Sequence, residues 1–206
     1  MKALRFPYDN FAVPVSLQTL ESAFQELFQR RLISMEGFSL SLRHSDGFLY
    51  LDTADAARVL WAEQATDPVA LGQRESQRSL HQAIYDQVPV LNAIVTGRPP
   101  YSSAFMDSVS PLAGTTSMLQ KRGVDDVEAF SFPQESLSPE SLPDVLDAAC
   151  RRAEGQGMAH LPLLIRHRML ICGAQNLFEA MTHYQNIEFC AKLEHLRCVL
   201  TRRQTP

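Results

Sequence analysis

Six histidines and four cysteines are the first side chains in this sequence to test for chemistry. A zinc or redox site needs its ligands gathered, commonly through Cys-x-x-Cys or closely spaced histidines. Cys150, Cys172, Cys190 and Cys198 all lie in the last third and form no such pair, so they fit neither a zinc cluster nor a redox motif. Cys190 and Cys198 have apolar neighbours on a helical stretch and read as buried, reduced thiols. Cys172, within Leu170-Ile171-Cys172-Gly173, reads as an inert core thiol whose pKa burial raises. Reduced thiols in turn imply a cytoplasmic setting. His81 stands one turn before Ile84 and Tyr85 and reads as a packed, structural histidine. His183 and His195, about three turns apart on one helix, are expected to face solvent or a neighbouring subunit. No glycine-rich phosphate loop or dinucleotide fingerprint is present, which leaves nucleotide binding without support.

The elements that must position these groups follow from periodicity. The chain has 206 residues, of which 45% are apolar and 20% charged, with a net charge of −4. Against a soft prior of about 150 residues per domain, that is one domain over residues 1–206 with a sizeable core. No basic block appears before Arg202-Arg203, which argues against wrapping nucleic acid. No apolar run approaches the ~20 residues that cross a bilayer. The basic start of Met1–Phe6 meets Tyr8, Asp9 and Asn10 before an apolar region builds, so it does not read as a signal peptide.

Leu17, Leu20, Ala23, Phe24, Leu27 and Phe28 recur at helical spacing behind Ser16 as N-cap. Phe38-Ser39-Leu40-Ser41-Leu42 alternates, the mark of a half-buried strand, and turn residues from His44 to Gly47 lead into Phe48–Leu51, a hairpin. A short helix is expected around Asp55–Gln64 and a second over Glu75–Asp86. Leu91–Val95 is a compact strand stopped by Gly97 and Pro99-Pro100. Thr116–Arg122 suggests helical turns, Ala129–Phe132 a strand and Pro133–Pro143 an exposed loop. A helix entered through Ser141 and Pro143 follows. Leu161–Cys172 reads as strand, polar tip at Arg166-His167-Arg168, strand, and Asn176–Leu200 as one long amphipathic helix. Hairpins interleaved with helices argue for a mixed α/β layered domain.

A set of segments stands in a recognisable order. Gly37–Arg43 comes first, then Ser79-Leu80-His81-Gln82-Ala83-Ile84-Tyr85. Val90-Leu91-Asn92-Ala93-Ile94-Val95 leads to Pro99-Pro100-Tyr101, and Leu163–Gly173 runs into Asn176-Leu177-Phe178-Glu179-Ala180. Together they resemble the class II aldolase/adducin family, which includes the fuculose-phosphate aldolases, over roughly residues 16–200. The resemblance implies an α/β fold, a three-layer α/β/α sandwich around a central, mostly antiparallel sheet. It also implies a homotetramer with its sites at subunit interfaces.

Family members hold a divalent metal through three histidines, two of them as His-x-His at the end of the central strand, where alternate side chains point the same way. The matching positions here are Thr96 and Arg98, a poor zinc ligand and a cation. The third ligand falls at His167 or Arg168, depending on the side from which the register is counted. The family's catalytic glutamate becomes Gln77, whose amide cannot shuttle a proton at neutral pH. The phosphate pocket becomes Leu51-Asp52-Thr53-Ala54 and Glu75-Ser76, where Asp52 and Glu75 repel a phosphate and Arg74 or Arg98 offsets them.

The resemblance thus implies the fold with its metal-dependent aldolase chemistry lost: no metal cofactor, and a ligand-binding, regulatory or scaffolding role as in adducin heads. The alternative is a divergent sugar-phosphate aldolase-like enzyme on a small anionic substrate, metal-free or with a rebuilt metal site. In either case the ligand-facing candidates are Thr53, Ser76, Thr96, Arg98, Ser102, His167 and Arg168. Arg98, His167 and Gln77 are the candidates for catalysis, Arg98 as a bidentate electrostatic group and His167 as acid/base.

Overall fold

The computed structural model describes residues 17–33, 38–44, 47–52, 60–63, 73–105, 112–113, 126–127, 129–130, 147, 161–165 and 169–202. The first helix, α1 (Leu17–Gln29), buries Leu20, Ala23, Phe24 and Leu27, the stripe its periodicity predicts. It closes with paired bonds from the Leu32 N–H to the Leu27 carbonyl (3.0 Å) and from the Arg31 N–H to the Phe28 carbonyl (2.9 Å). Arg31 sits at the C-cap turn with φ 56°, a conformation that helix ends usually give to glycine.

The elements continue as β1 (Ser39–His44), β2 (Gly47–Asp52), β3 (Leu60–Glu63), α2 (Gln73–Gln87), β4 (Ala93–Gly97) and α3 (Pro100–Phe105). Then come β5 (Leu112–Ala113), β6 (Asp126–Val127), β7 (Ala129–Phe130), β8 (Leu161–Ile165), β9 (Met169–Ala174) and the long helix α4 (Leu177–Arg202). Among the described residues, seven strands form one sheet in the order β3-β2-β1-β4-β9-β8-β7, and β5 pairs with β6 apart from it. Every pairing in the large sheet is antiparallel except β7 with β8.

Side-chain alternation divides the core. Leu40, Leu42, Ala93, Val95, Leu170 and Cys172 face α1 and α4, while Phe48, Tyr50, Ile94 and Ile171 face Leu80, Ile84 and Tyr85 of α2. The result is a mixed α/β fold with a mostly antiparallel sheet between helical layers, the class II aldolase-like architecture that the resemblance implies. Among the described residues no helix is long and apolar enough to cross a membrane.

Four expectations need correction. β1 is buried on both faces, because α2 covers the side that carries Ser39 and Ser41. Residues 60–63, expected in a helix over Asp55–Gln64, are a strand held by pairing with β2, Leu60 opposite Tyr50 and Glu63 opposite Gly47. His183 is buried, on a stretch of α4 whose neighbours Tyr184 and Ile187 pack into the core. Cys198 is exposed, because the last buried residue of α4 is Ala191 and the helix runs on beyond it. The segments Thr116–Arg122, Pro133–Pro143 and Arg166–Arg168 lie outside the described residues, and only Asp147 of the helix expected after Ser141 is described, as helical.

Candidate functional site

β4 runs through the middle of the sheet, with β1 on one side and β9 on the other. Register sets Thr96 opposite Ser39 of β1 and Ile171 of β9, and Ser39 in turn opposite Asp52 of β2. These alternate residues all point toward α2, where His81 and Tyr85 stand one helical turn apart and face the strands.

A continuous polar chain results. Thr96 Oγ1 lies 2.7 Å from Ser39 Oγ. Ser39 Oγ lies 3.1 Å from His81 Nε2, and the other ring nitrogen, Nδ1, lies 2.7 Å from Ser41 Oγ. Ser41 Oγ reaches the Tyr85 hydroxyl at 2.9 Å. All five side chains are buried. Burial lowers the His81 pKa to about 3, so at neutral pH the imidazole is uncharged, with one donor and one acceptor nitrogen. The chain therefore has two self-consistent directions. With Nε2 protonated, the ring donates to Ser39, which donates to Thr96; with Nδ1 protonated, it donates to Ser41 and every bond on the Thr96 side reverses. The two directions differ in whether Thr96 accepts from Ser39 or donates to it.

The rest of the enclosure is aromatic and basic. Tyr50 packs its ring edge-on to His81, with centroids 5.3 Å apart, and its hydroxyl is buried beside Ser39. Burial pushes its pKa up, as it does for Tyr85. Arg43 closes the C-terminal end of α2, donating to the Tyr85 carbonyl at 2.7 Å and the Leu91 carbonyl at 2.9 Å, with its guanidinium 4.6 Å from the Tyr85 ring centroid. A cation there complements the negative end of the helix.

Past Thr96 the strand ends at Gly97, where a Cβ would collide with the Tyr184 hydroxyl and press on the Phe38 ring. Glycine is thus required between Thr96 and Arg98. Arg98 is exposed, just before the turn into α3. That turn is clamped from α4. The Glu188 carboxylate accepts from the Tyr101 N–H (2.7 Å), the Ser102 N–H (2.7 Å) and the Ser102 hydroxyl (2.6 Å). Burial raises the Glu188 pKa, and these three donors and Lys192 oppose the rise.

The expected site residues therefore separate. Thr96 belongs to the buried network and Arg98 lies exposed two residues on. Ser102 is buried, with its hydroxyl committed to Glu188. Ser76 and Gln77 lie on α2 before His81, while Thr53, His167 and Arg168 lie outside the described residues. As ligands for the divalent metal the resemblance implies, Thr96 and Arg98 do not fit: the Thr96 oxygen is held by Ser39, and Arg98 repels a cation. Among the described residues, no three His, Cys, Asp or Glu side chains gather as a metal site. His81 is packed, as expected, and Cys172 is the buried thiol, its pKa raised by burial.

Ser39, Ser41 and Glu188 were not singled out from sequence. The signal for the serines was their alternation opposite a helix bearing His81 and Tyr85. For Glu188 it was a carboxylate inside the stripe Leu177, Ala180, Tyr184, Ile187, Ala191.

Comparison with known proteins agrees with this architecture. No family model and no curated protein matches the sequence. Among solved structures, the chain is similar to L-fuculose-1-phosphate aldolase from Thermus thermophilus, with TM-score 0.71 and 19% identity over 92% of this chain and 96% of that one. It is similar to an aldolase II superfamily protein from Pseudomonas syringae, with TM-score 0.63 and 17% identity over 87% and 77%. A sugar-phosphate aldolase from Thermotoga maritima gives TM-score 0.57 and 14% identity over 92% and 96%. At these identities the likeness is one of fold.

Proposed function

We propose that this chain is a divergent aldolase-like enzyme that binds a small anionic substrate at the C-terminal end of β4 and acts on it without the His-x-His metal pair. The observation that carries this reading is the hydrogen-bonded chain from Tyr85 to Thr96, which ends two residues before an exposed arginine. Arg98 supplies a planar, permanently charged group suited to a phosphate or carboxylate. The tautomer-switchable chain behind Thr96 supports proton rearrangement beside that anion, and His167 is the candidate for direct acid/base work. The substrate class is a phosphorylated sugar or hydroxy acid, and the reaction an aldol or retro-aldol cleavage. The setting is cytoplasmic and the assembly a homotetramer, both carried over from the resemblance and the thiol chemistry.

A second reading is a binding or scaffolding protein without catalysis. The replacement of the family's glutamate by Gln77 supports it, since the amide cannot take a proton.

The test is a panel of ketose and aldose phosphates and hydroxy-acid phosphates, assayed by trapping the carbonyl product, with metal content per subunit measured on protein purified without chelator. Cleavage by the native chain that falls at least 100-fold in kcat/KM in Arg98→Ala, and recovers in part in Arg98→Lys, supports the enzyme. Saturable binding with no turnover leaves the second reading. Near one zinc per native subunit overturns the metal-free assignment. Uptake of metal only by the Thr96→His/Arg98→His double variant supports it.

A further inference from the structure

We infer that, with Arg98 as the anion-binding group proposed for the end of β4, Glu188 is the residue that positions it, by capping α3 from α4. The first turn of a helix leaves N–H groups without partners inside the helix. The N-cap side chain ordinarily accepts from the second or third of them. α3 starts at Pro100, so its N-cap is Pro99, which has no side-chain oxygen to offer. The second and third positions are Tyr101 and Ser102, and both N–H groups donate to the Glu188 carboxylate at 2.7 Å. The cap therefore comes from a residue 86 positions beyond Ser102. A cap from the adjoining residue would only hold α3 helical. One from α4 also fixes where α3 lies against that helix.

The stretch between sheet and cap has little freedom left. Gly97 is paired with Leu170 of β9 and lies against the hydroxyl of Tyr184, one turn before Glu188 on α4. Only Arg98, Pro99 and Pro100 separate it from Tyr101, the first capped residue. The two prolines fix their own φ, and Pro99 also disfavours a helical backbone at Arg98. The Pro99 carbonyl accepts from the Ser103 N–H at 3.0 Å and from the Ser103 hydroxyl at 2.7 Å. Arg98 is thus an exposed side chain between two buried residues, Gly97 and Pro99, on a backbone anchored at both ends. A guanidinium on such a base loses less freedom when it grips an anion, and that raises affinity.

Charge and geometry predict opposite signs for the role of Glu188. A carboxylate near an anion site repels the anion, so removing that charge alone would tighten binding. Removing the cap frees the turn and loosens it. The buried carboxylate is also costly to desolvate, a cost that its three donors and Lys192 offset.

The probe is inorganic phosphate, titrated calorimetrically into the full chain, with a melting curve for each variant. Arg98→Ala is expected to weaken binding about tenfold or more, through loss of a charge-assisted contact. Glu188→Ala is expected to weaken it at least about fivefold. Glu188→Gln keeps one acceptor oxygen and should fall between Glu188→Ala and the native chain. Hydrogen exchange at the amides of residues 101–103 should quicken in the same order. In the Arg98→Ala background, Glu188→Gln should change affinity by less than about twofold, because its effect passes through Arg98. Ser102→Ala removes one of the three bonds and leaves the charge in place, so it should also weaken binding. If the Glu188 variants lose a cooperative melt, Ser102→Ala decides, and native affinity in it overturns the inference. Native or tighter binding by Glu188→Gln, with Arg98→Ala still weak, overturns this inference alone and leaves Glu188 a structural cap. So does an equal loss from Glu188→Gln with and without Arg98. Phosphate binding that Arg98→Ala leaves unchanged, or none by the native chain, overturns the β4 anion site and this inference with it.

Discussion

His81 meets two serine hydroxyls, at 2.7 and 3.1 Å, in full enclosure, so a second proton on its ring would have no acceptor beyond groups already bonded. Its pKa of about 3 in the folded chain lies below the 6.5 of an exposed histidine. The unfolded chain therefore takes up the proton first. Stability is full above pH 6.5 and falls as the pH drops from there towards about 3, with a ceiling of about 4–5 kcal/mol. Urea midpoints taken between pH 7.5 and 4 should decline for the native chain. His81→Gln should start lower at pH 7.5 and decline less steeply; parallel slopes would assign the acid sensitivity to other groups. Glu188→Ala strands the Tyr101 and Ser102 N–H groups and the Ser102 hydroxyl inside the protein. It should cost about 2–3 kcal/mol by urea unfolding at pH 7, with Glu188→Gln recovering part. The identity of His81 as a packed residue was legible in sequence, because Ile84 and Tyr85 share its face. Its partners were not. Alternation in Phe38–Leu42 says that the two sides of a strand differ, and says nothing of whether the polar side is wet.

Among the elements, those with long periodic runs were legible. α1, α2, the β1–β2 hairpin, β4 and α4 all lie within a few residues of their expected bounds. β3 and α3 were lost for opposite reasons. β3 lies in a stretch rich in alanine and acidic residues, whose helical propensity yields to ladder pairing with β2. α3 has six residues, too few to display a period, and begins on the second residue of a proline pair that reads as a stop. The end of α1 offers the cleanest test at this scale. Arg31 holds a left-handed backbone on an exposed turn. Arg31→Gly relieves the Cβ strain and should raise stability by about 0.5–1 kcal/mol, read as a higher urea midpoint with unchanged slope. A fall in the midpoint would mean that side-chain contacts of Arg31 outweigh the backbone term.

At the level of the whole molecule, the sheet order joins near and distant parts of the chain. β1 and β2 are neighbours in sequence and pair with each other, whereas Thr96 has Ser39 on one side and Ile171 on the other. Loop-closure entropy delays distant pairing. Pulsed hydrogen exchange during refolding should therefore protect the amides of the β1–β2 hairpin before those that β4 shares with β9; simultaneous protection would mean that the sheet forms in one step. That architecture was legible only through the order of the family-like segments. Composition and periodicity specify strands and helices but leave strand neighbours open.

The central place of β4 has a consequence during synthesis. Its far-side neighbour β9 is made only after the chain has been extended from Gly97 to Ala174. At roughly 5–20 residues per second, that interval lasts about 4–15 s. Throughout it the middle strand has one bare edge, a template for pairing with the same strand of another nascent chain on the same messenger.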